Sequence, residues 1–211
     1  MDVVVAGGHG KIGLRVLRLL AARGDRARGL IRRAEQAADL EAAGAEPVVC
    51  DMEAEERLVP YVEGADAVVF SAGAGPGSGP ERKRTVDLGA AVKLIDAAKE
   101  TGIGRFVIVS AIGAGDPSSG PGQMRPYLEA KADADRALAA SGLQFTIVRP
   151  GRLTDDPGSG RVAVGDVPRG EVPRDDVAAT LVAVLVEPQT IGKTFDLVAG
   201  EEEIEEALRR L

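Results

Sequence analysis

The chain has 211 residues, 45% of them hydrophobic and 3% aromatic, and its formal net charge at pH 7 is −7. This size and apolar content suffice for one stable globular core, while the negative charge and the scarcity of aromatic rings argue against a nucleic-acid partner. The single cysteine, Cys50, excludes an internal disulfide and is typical of a reducing compartment. A late apolar run at 177–186 is too short to span a bilayer, so we expect a cytoplasmic protein without a membrane partner.

A glycine-rich segment near the N terminus, at 7–13, reads Gly-Gly-His-Gly-Lys-Ile-Gly. It follows an apolar run and precedes apolar residues at helical spacing, which predicts a strand, a glycine turn and a helix. Gly7 would allow the tight turn, Gly10 the approach of a pyrophosphate to the backbone, and Gly13 close packing of the helix on the strand. Because the first amides of a helix attract phosphate, the predicted cofactor contacts are Gly7, His9, Gly10, Lys11, Ile12 and Gly13.

His9 is the only histidine of the chain. Its place in the glycine turn is unsuited to a Ser-His-Asp triad, and a single histidine argues against a histidine-based metal site, so we expect no metal. Two interpretations of His9 stay open: its ring donates a hydrogen bond to a phosphate, or it points into solvent.

Strand-like and helix-like segments alternate along nearly the whole chain. The predicted strands are 2–6, 27–31, 46–49, 67–70, 105–109, 144–148, 161–164 and 194–198. The predicted helices are 11–23, 34–43, 82–101, 127–141 and 175–186, with a last short helix starting at 201–203. Short strands that are almost entirely apolar are typical of a parallel sheet buried on both faces. The alternation therefore predicts right-handed crossovers and an α/β fold with helices on both faces of the sheet.

Two loops rich in glycine, proline and serine interrupt this alternation, at 73–80 and 113–126. Each follows a predicted strand at its carboxyl end, the edge where open α/β sheets bind ligands. We interpret them as covers of an active site, the alternative being plain mobile loops. The segment 150–175 is too small for a domain of its own, so we predict one domain over 1–211 in which 150–175 forms a small substrate lobe.

Two arginines, Arg32 and Arg33, follow the second predicted strand. A protein that binds NAD usually places an acid there to bind the ribose 2′-hydroxyl. Guanidinium groups suit a 2′-phosphate instead, which predicts NADP(H) over NAD(H), although both arginines could equally be solvated near Glu35 and Asp39. Further cofactor contacts are expected at the ends of the third and fourth strands: Asp51, Met52, Ala72 and Gly73.

The order of these motifs resembles the short-chain dehydrogenase/reductase superfamily. The segments are GGHGKIG, LIRR, CDME, VVFSAG, FVIVSAIGA, YLEAK and TIVRPG. The resemblance is greatest to the compact atypical branch related to NAD(P)-dependent epimerase/dehydratases and NAD(P)H-binding reductases. It covers the chain from Met1 to about Gly200 and implies a three-layer αβα Rossmann fold with about seven parallel strands. It also implies that Pro150 and Gly151 contact the nicotinamide.

The resemblance assigns the catalytic roles to Tyr127 and Lys131, four residues apart on one helical face. In the family the tyrosine is the general acid and base, and the lysine lowers the pKa of the tyrosine while binding the nicotinamide ribose. A phenol titrates near pH 10, so a neighbouring ammonium would favour the phenolate. The alternative is an ordinary i,i+4 surface pair.

The third catalytic residue departs from the family pattern. Ser110 ends the fifth predicted strand, whereas the family places its serine or threonine about two residues later, where this chain has Ile112. Ser110 substitutes if the loop bends; otherwise Ser118 or Ser119 reaches in, or no hydroxyl does. Without that hydroxyl, the orientation of a substrate carbonyl would be weakened.

These observations predict an NADP(H)-dependent oxidoreductase that acts on a small carbonyl-type metabolite, with Tyr127 supplying or taking the proton. Two alternatives remain open. One is a redox-sensing protein that binds NADP(H) without turnover, which Ile112 favours. The other is a sugar epimerase or dehydratase, against which the short C-terminal lobe argues. We expect a small-molecule substrate and a monomer or homodimer.

Overall fold

A computed structural model describes residues 1–75 and 77–211. Pro76, in the predicted cover at 73–80, and the side chain of Ser119 lie outside the described part of the chain. The strands are β1 (Asp2–Ala6), β2 (Arg26–Ile31), β3 (Glu46–Val49), β4 (Ala67–Phe70), β5 (Arg105–Val109), β6 (Gln144–Pro150), β7 (Arg152–Thr154), β8 (Arg161–Gly165), β9 (Glu171–Pro173), β10 (Lys193–Ala199) and β11 (Glu202–Glu203).

The helices alternate with these strands. They are α1 (Lys11–Ala22), α2 (Ala37–Ala42), α3 (Val59–Val62), α4 (Pro80–Arg82), α5 (Ala91–Thr101), α6 (Arg125–Ala139), α7 (Arg174–Val184) and α8 (Ile204–Arg209). A π-helical segment, Lys83–Ala90, joins α4 to α5. Single 3₁₀ turns occupy Ala34–Gln36, Pro117–Ser119, Gly122–Met124 and Pro188–Thr190.

Nine strands form the main sheet, in the order β11-β8-β10-β6-β5-β4-β1-β2-β3. The seven strands from β10 to β3 run parallel, whereas β8 is antiparallel to both of its neighbours, β10 and β11. The predicted Rossmann fold is confirmed, with an antiparallel edge added to the parallel sheet. From β1 the chain adds β2 and β3 on one side of β1 and then crosses over to add β4 on the other side. The strand order therefore reverses between β1 and β4, and such sheets bind ligands at this point.

Three short strands escaped the sequence analysis because two or three residues carry no readable periodicity. Two of them, β7 and β9, form a separate parallel pair. The predicted last short helix is confirmed as α8, but it begins at Ile204, because Glu202 and Glu203 pair with β8. The predicted lobe at 150–175 contributes β8 to the main sheet and β7 and β9 to the smaller one; its role in covering a substrate stays a prediction.

Two apolar layers enclose the sheet, one on each face. Alternate residues of β1 supply both: Val3 and Val5 pack with α1, α7 and α8, while Val4 and Ala6 pack with α3, α5 and α6. All four are fully buried. This alternation is the pleat of a strand covered on both faces, and it confirms the three-layer arrangement.

Within the described ranges, no helix combines the length and the apolar character that crossing a bilayer requires.

Candidate functional site

The glycine turn after β1 is packed too tightly for side chains. Gly7 has φ +80°, and a Cβ atom there would lie 2.8 Å from the Ala72 Cα. A Cβ on Gly13 would lie 2.2 Å from the Gly7 carbonyl oxygen, and one on Gly10 would lie 3.0 Å from the same atom. Helix α1 therefore begins directly against the turn, as the glycine spacing predicted.

The backbone amides of the first turn of α1 lie at the carboxyl end of β1. Lys11, Ile12 and Gly13 occupy this turn, where backbone N–H groups have no intrahelical acceptor. Their side chains include no acid, so the positive end of the helix is left for an anionic ligand. The Lys11 ammonium, 65% exposed, points elsewhere and pairs with Asp155 at 2.6 Å.

A crevice of about 340 Å³ opens beside the turn, at the carboxyl ends of β1 to β4. Eight of the fourteen predicted cofactor residues line it: Gly7, His9, Gly10, Arg32, Asp51, Met52, Ala72 and Gly73. The residues that the sequence analysis missed are Leu30, Ile31, Gln36, Cys50, Glu53, Ser71, Ala74, Arg82, Val86 and Ala90. Most of these flank predicted positions, and the strand ends alone could have indicated them.

Arg82 is the missed residue that most changes the charge of the crevice. Its Nη2 lies 3.1 Å from the Glu53 carboxylate, and the Arg32 Nη1 lies 4.0 Å from the same group. The other Glu53 oxygen accepts a 2.7 Å hydrogen bond from the Thr85 hydroxyl. Arg33 is exposed and is not among the lining residues, so the second guanidinium in the crevice comes from Arg82.

His9 lines the crevice with both ring nitrogens engaged. Its Nε2 lies 2.7 Å from the Asp39 carboxylate, and its Nδ1 lies 3.0 Å from the Gln36 side-chain amide. If the amide donates to Nδ1, the ring proton sits on Nε2 and bonds to Asp39. To donate to a phosphate, His9 would have to release Asp39.

Cys50 contributes a neutral thiol to the wall of the crevice. It is 3% exposed, as expected for a small apolar residue. Burial, with smaller effects from Glu55 and Asp51, raises the pKa of the thiol to about 12. The thiol therefore stays protonated at neutral pH.

Tyr127 and Lys131 lie on one face of α6, over the carboxyl ends of β4 and β5. The Lys131 ammonium is buried, donates to the Val109 carbonyl at 2.9 Å and lies 5.9 Å from the centre of the Tyr127 ring. It lies equally far from the ring of Phe70, the last residue of β4. The structure thus joins the two residues in one cluster.

Asp87, in the π-helical segment, connects this cluster to the crevice. It is 1% exposed, and its Oδ1 lies 3.2 Å from the Lys131 ammonium. Its Oδ2 accepts a 3.1 Å hydrogen bond from the backbone N–H of Ala74, which lines the crevice. Nothing in the sequence pattern indicated Asp87, because its partner is 44 residues away.

The protonation of Tyr127 differs from the expectation. Burial is the largest influence and raises the pKa of the phenol, Lys131 lowers that pKa, and Asp87 and Asp135 raise it further. The net result is a pKa above the ordinary value of 10. Lys131 thus lowers the pKa of Tyr127 as expected, but burial and the two carboxylates outweigh the ammonium.

Ser110 turns its hydroxyl towards α6. The hydroxyl is buried and donates to the Asp135 carboxylate at 2.9 Å, while Arg149 donates to the same oxygen through Nε at 3.0 Å. Burial raises the pKa of Asp135, and Arg149 opposes this most strongly. Because its only proton is given to Asp135, the Ser110 hydroxyl offers a ligand its lone pairs.

The remaining predicted residues lie outside the crevice. Ser118 is exposed, and its hydroxyl bonds to Asp116 at 2.5 Å. The Pro150 carbonyl accepts from the Ile112 N–H at 3.0 Å, and the Gly151 N–H donates to the Leu197 carbonyl at 2.9 Å. The Gly151 N–H is thus committed within the protein, while the Pro150 carbonyl keeps a second lone pair for a ligand.

Comparison with known proteins yields one family and several full-length relatives. The profile of the NAD(P)H-binding family matches residues 7–188. YhfK of Bacillus subtilis (strain 168), an uncharacterized protein named as a sugar epimerase, is 43% identical over 214 residues that cover both chains fully.

Two solved structures superpose closely on this chain. A Bacillus halodurans protein described provisionally as an NAD-dependent epimerase/dehydratase has a TM-score of 0.95 and 37% identity, with both chains fully covered. The oxidoreductase YlbE of Lactococcus lactis has a TM-score of 0.89 and 28% identity over 100% of this chain and 96% of that one.

Proposed function

The chain belongs to the NAD(P)H-binding family, and from that premise we propose that it is an NADP(H)-dependent reductase of a small carbonyl compound. The family and its relatives support a nicotinamide dinucleotide as cofactor and an oxidoreductase or epimerase type of chemistry. The preference for NADP(H), the proton donor and the substrate class are our proposal.

The residues of the crevice fit a dinucleotide. The tight turn formed by Gly7, Gly10 and Gly13 sets the first-turn amides of α1 beside the crevice, where they suit a pyrophosphate. Asp51, Met52, Ala72 and Gly73 would flank the adenosine. Arg32 and Arg82 would hold a 2′-phosphate through charge-assisted hydrogen bonds once it displaces Glu53.

The observation that carries the proposal is the Tyr127–Lys131 pair, in which the ammonium is buried, joined to the crevice through Asp87. A bound reduced nicotinamide supplies the hydride, which goes to the carbonyl carbon of the substrate. Tyr127 gives its proton to the carbonyl oxygen, so the C=O group becomes an alcohol, and the phenolate regains a proton from water. Lys131 would orient the ribose, and Ser110 would bind a donor group of the substrate.

A turnover assay tests this proposal. The purified protein is mixed with NADPH and a panel of aldehydes, ketones and quinones, and the absorbance of the reduced cofactor is followed. We expect Tyr127→Phe to lower the rate about 10²- to 10⁴-fold with cofactor binding retained, because a positioned proton donor contributes that much. Tyr61→Phe, which removes the other tyrosine hydroxyl, is the matched control and should keep the parental rate. An undiminished rate in Tyr127→Phe would refute the proposed proton donor.

An epimerase is the second candidate, favoured by the name of the Bacillus subtilis relative. It would interconvert sugars without net consumption of NADPH, so a product assay by chromatography on a sugar panel separates it from the reductase. Tight NADPH binding without turnover on either panel would favour the redox sensor. One observation supports that alternative: the Ser110 hydroxyl donates its proton to Asp135 and not to a substrate.

A further inference from the structure

Two pairs of opposite charges lie near Tyr127, and three of the four groups are buried, Arg149 being partly exposed. Lys131 and Asp87 are 3% and 1% exposed and lie 3.2 Å apart. Asp135 is 3% exposed and lies 3.0 Å from the Arg149 guanidinium. Two positive and two negative charges leave the cluster with no net charge. An ammonium favours a neighbouring phenolate less strongly when a carboxylate compensates its charge.

The charged groups that face Tyr127 come from three elements. The π-helical segment supplies Asp87 and Lys83, whose ammonium lies 6.0 Å from the centre of the tyrosine ring. Helix α6 supplies Lys131 and Asp135, and β6 supplies Arg149 behind Asp135. Lys83 is partly exposed, so water screens its charge. The direct, water-excluded contact with the ammonium of Lys131 is made by Asp87.

We infer that Asp87 is a positioning residue that cancels the charge of Lys131 and thereby keeps the Tyr127 hydroxyl in its protonated, proton-donating form. An asparagine would fill the same space and could still accept from the Ala74 N–H, but it would carry no charge. The role therefore requires the carboxylate. The inference rests on the proposed function in one respect: if Tyr127 serves a substrate, Asp87 favours reduction over oxidation near neutral pH.

The same carboxylate also contacts the loop that lines the crevice. Its Oδ2 accepts from the Ala74 N–H, and a Cβ on Gly73 would lie 3.0 Å from its Oδ1. Asp87 thus connects the backbone of Gly73 and Ala74 to Lys131. Irregular π-helical turns often occur at functional sites, and here such a segment carries Asp87 between the two halves of the site.

Tyrosine absorbance tests this inference without substrate or cofactor. The chain has two tyrosines and no tryptophan, so in a Tyr61→Phe background the phenolate absorbance of the full-length protein reports Tyr127 alone. The pH is raised stepwise while circular dichroism confirms that the protein stays folded. We expect Asp87→Asn to lower the titration midpoint by about one pH unit or more, because Lys131 is then uncompensated. Asp96→Asn, the same change on the exposed face of α5, should leave the midpoint unchanged.

A second pair of variants covers the case in which Asp87→Asn fails to fold. Lys131→Met leaves the Asp87 carboxylate next to the phenol without its cation and should raise the midpoint above that of the parent. Adding Asp87→Asn to Lys131→Met removes both charges and should return the midpoint to within about half a unit of the parent. The inference is overturned if a folded Asp87→Asn variant has the same titration midpoint for Tyr127 as the parent. It is also overturned if Lys131→Met and the double variant have the same midpoint.

This titration and the turnover assay fail independently. If Tyr127→Phe turns over normally while Asp87→Asn shifts the phenol, the proposed proton donor is wrong and the charge balance stands. If Tyr127→Phe is inactive while Asp87→Asn leaves the phenol unshifted, only the role of Asp87 is wrong. Where turnover is found, the alkaline decline of the reductase rate should begin at lower pH in Asp87→Asn.

Discussion

The two halves of the site use charge in opposite ways. In the crevice at the ends of β1 to β4, the charged groups Arg32, Arg82 and Glu53 are half-exposed and their pairs are open to solvent. Around Tyr127, by contrast, Asp87, Lys131 and Asp135 are almost fully buried, and each is paired in contact with an opposite charge. Exposed pairs contribute little to stability and exchange partners readily, whereas a buried charge that loses its partner is costly. The crevice is therefore suited to the exchange of Glu53 for a ligand. The charged cluster around Tyr127 is suited to holding a fixed protonation state.

The largest expected effect follows from breaking a buried pair. Arg149→Met should destabilise the protein by about 3–5 kcal/mol at pH 7, because it leaves the Asp135 carboxylate buried without its cation. Arg152→Met, which breaks an exposed pair with Glu171, should cost less than about 1 kcal/mol. Urea unfolding of both variants gives the comparison.

The pH dependence of Arg149→Met sharpens the same prediction. Burial already raises the folded-state pKa of Asp135 above its unfolded value, and loss of Arg149 raises it further. A carboxyl with a raised folded-state pKa is protonated first in the folded protein, so stability is gained as the pH falls through that pKa. The deficit of Arg149→Met should therefore shrink between pH 7 and pH 5, and a constant deficit would show that the carboxylate is not its cause.

A smaller effect is expected in the crevice, at the close contact of α1 with the glycine turn. Gly13→Ala places a Cβ 2.2 Å from the Gly7 carbonyl oxygen, so the helix must shift. We expect a loss of about 1–3 kcal/mol in the free energy of unfolding together with loss of NADPH binding in calorimetry. Gly104→Ala is the control, since its Cβ meets nothing within 4 Å. If Gly13→Ala bound NADPH as the parent does, the turn would not be the phosphate site.

How far the sequence predicts the molecule also differs between the two halves. The crevice is built from local signals: apolar strands fix where β1 to β4 end, and the glycine spacing fixes the turn, so Gly7, Ala72 and their neighbours were found. Four strands, β1, β3, β4 and β5, match their predicted bounds. The short strands β7, β9 and β11 were missed because their pairing depends on distant residues.

The α6 half depends on contacts between residues far apart in the sequence. The spacing of Tyr127 and Lys131 is visible in the sequence, but their ionisation depends on Asp87 and Asp135, which reach the cluster through the tertiary fold. The partner of Ser110 was hidden for the same reason, since Asp135 lies 25 residues away. Arg82 in the crevice could not be predicted for the same reason. It follows a glycine-rich loop, and it reaches Glu53, 29 residues earlier, only in the folded chain.

The smallest effect, on cofactor preference, tests whether the crevice recognises its ligand with the guanidinium groups that the structure brings there. Arg82→Ala should weaken NADPH binding about ten-fold or more, because a charge-assisted hydrogen bond to a 2′-phosphate is lost. NADH lacks that phosphate, so its affinity should change little. Arg33→Ala is the matched control, because this arginine also precedes a helix near the crevice but does not line it. Calorimetric titrations of both variants with both nucleotides measure the difference.

If Arg33→Ala were the variant that selectively lost NADPH binding, the sequence-based assignment of Arg33 would be right and the role proposed for Arg82 wrong. If neither variant changed the preference, the site would not distinguish the two nucleotides through these arginines, and Glu53 would remain free to bind the ribose hydroxyls of NADH.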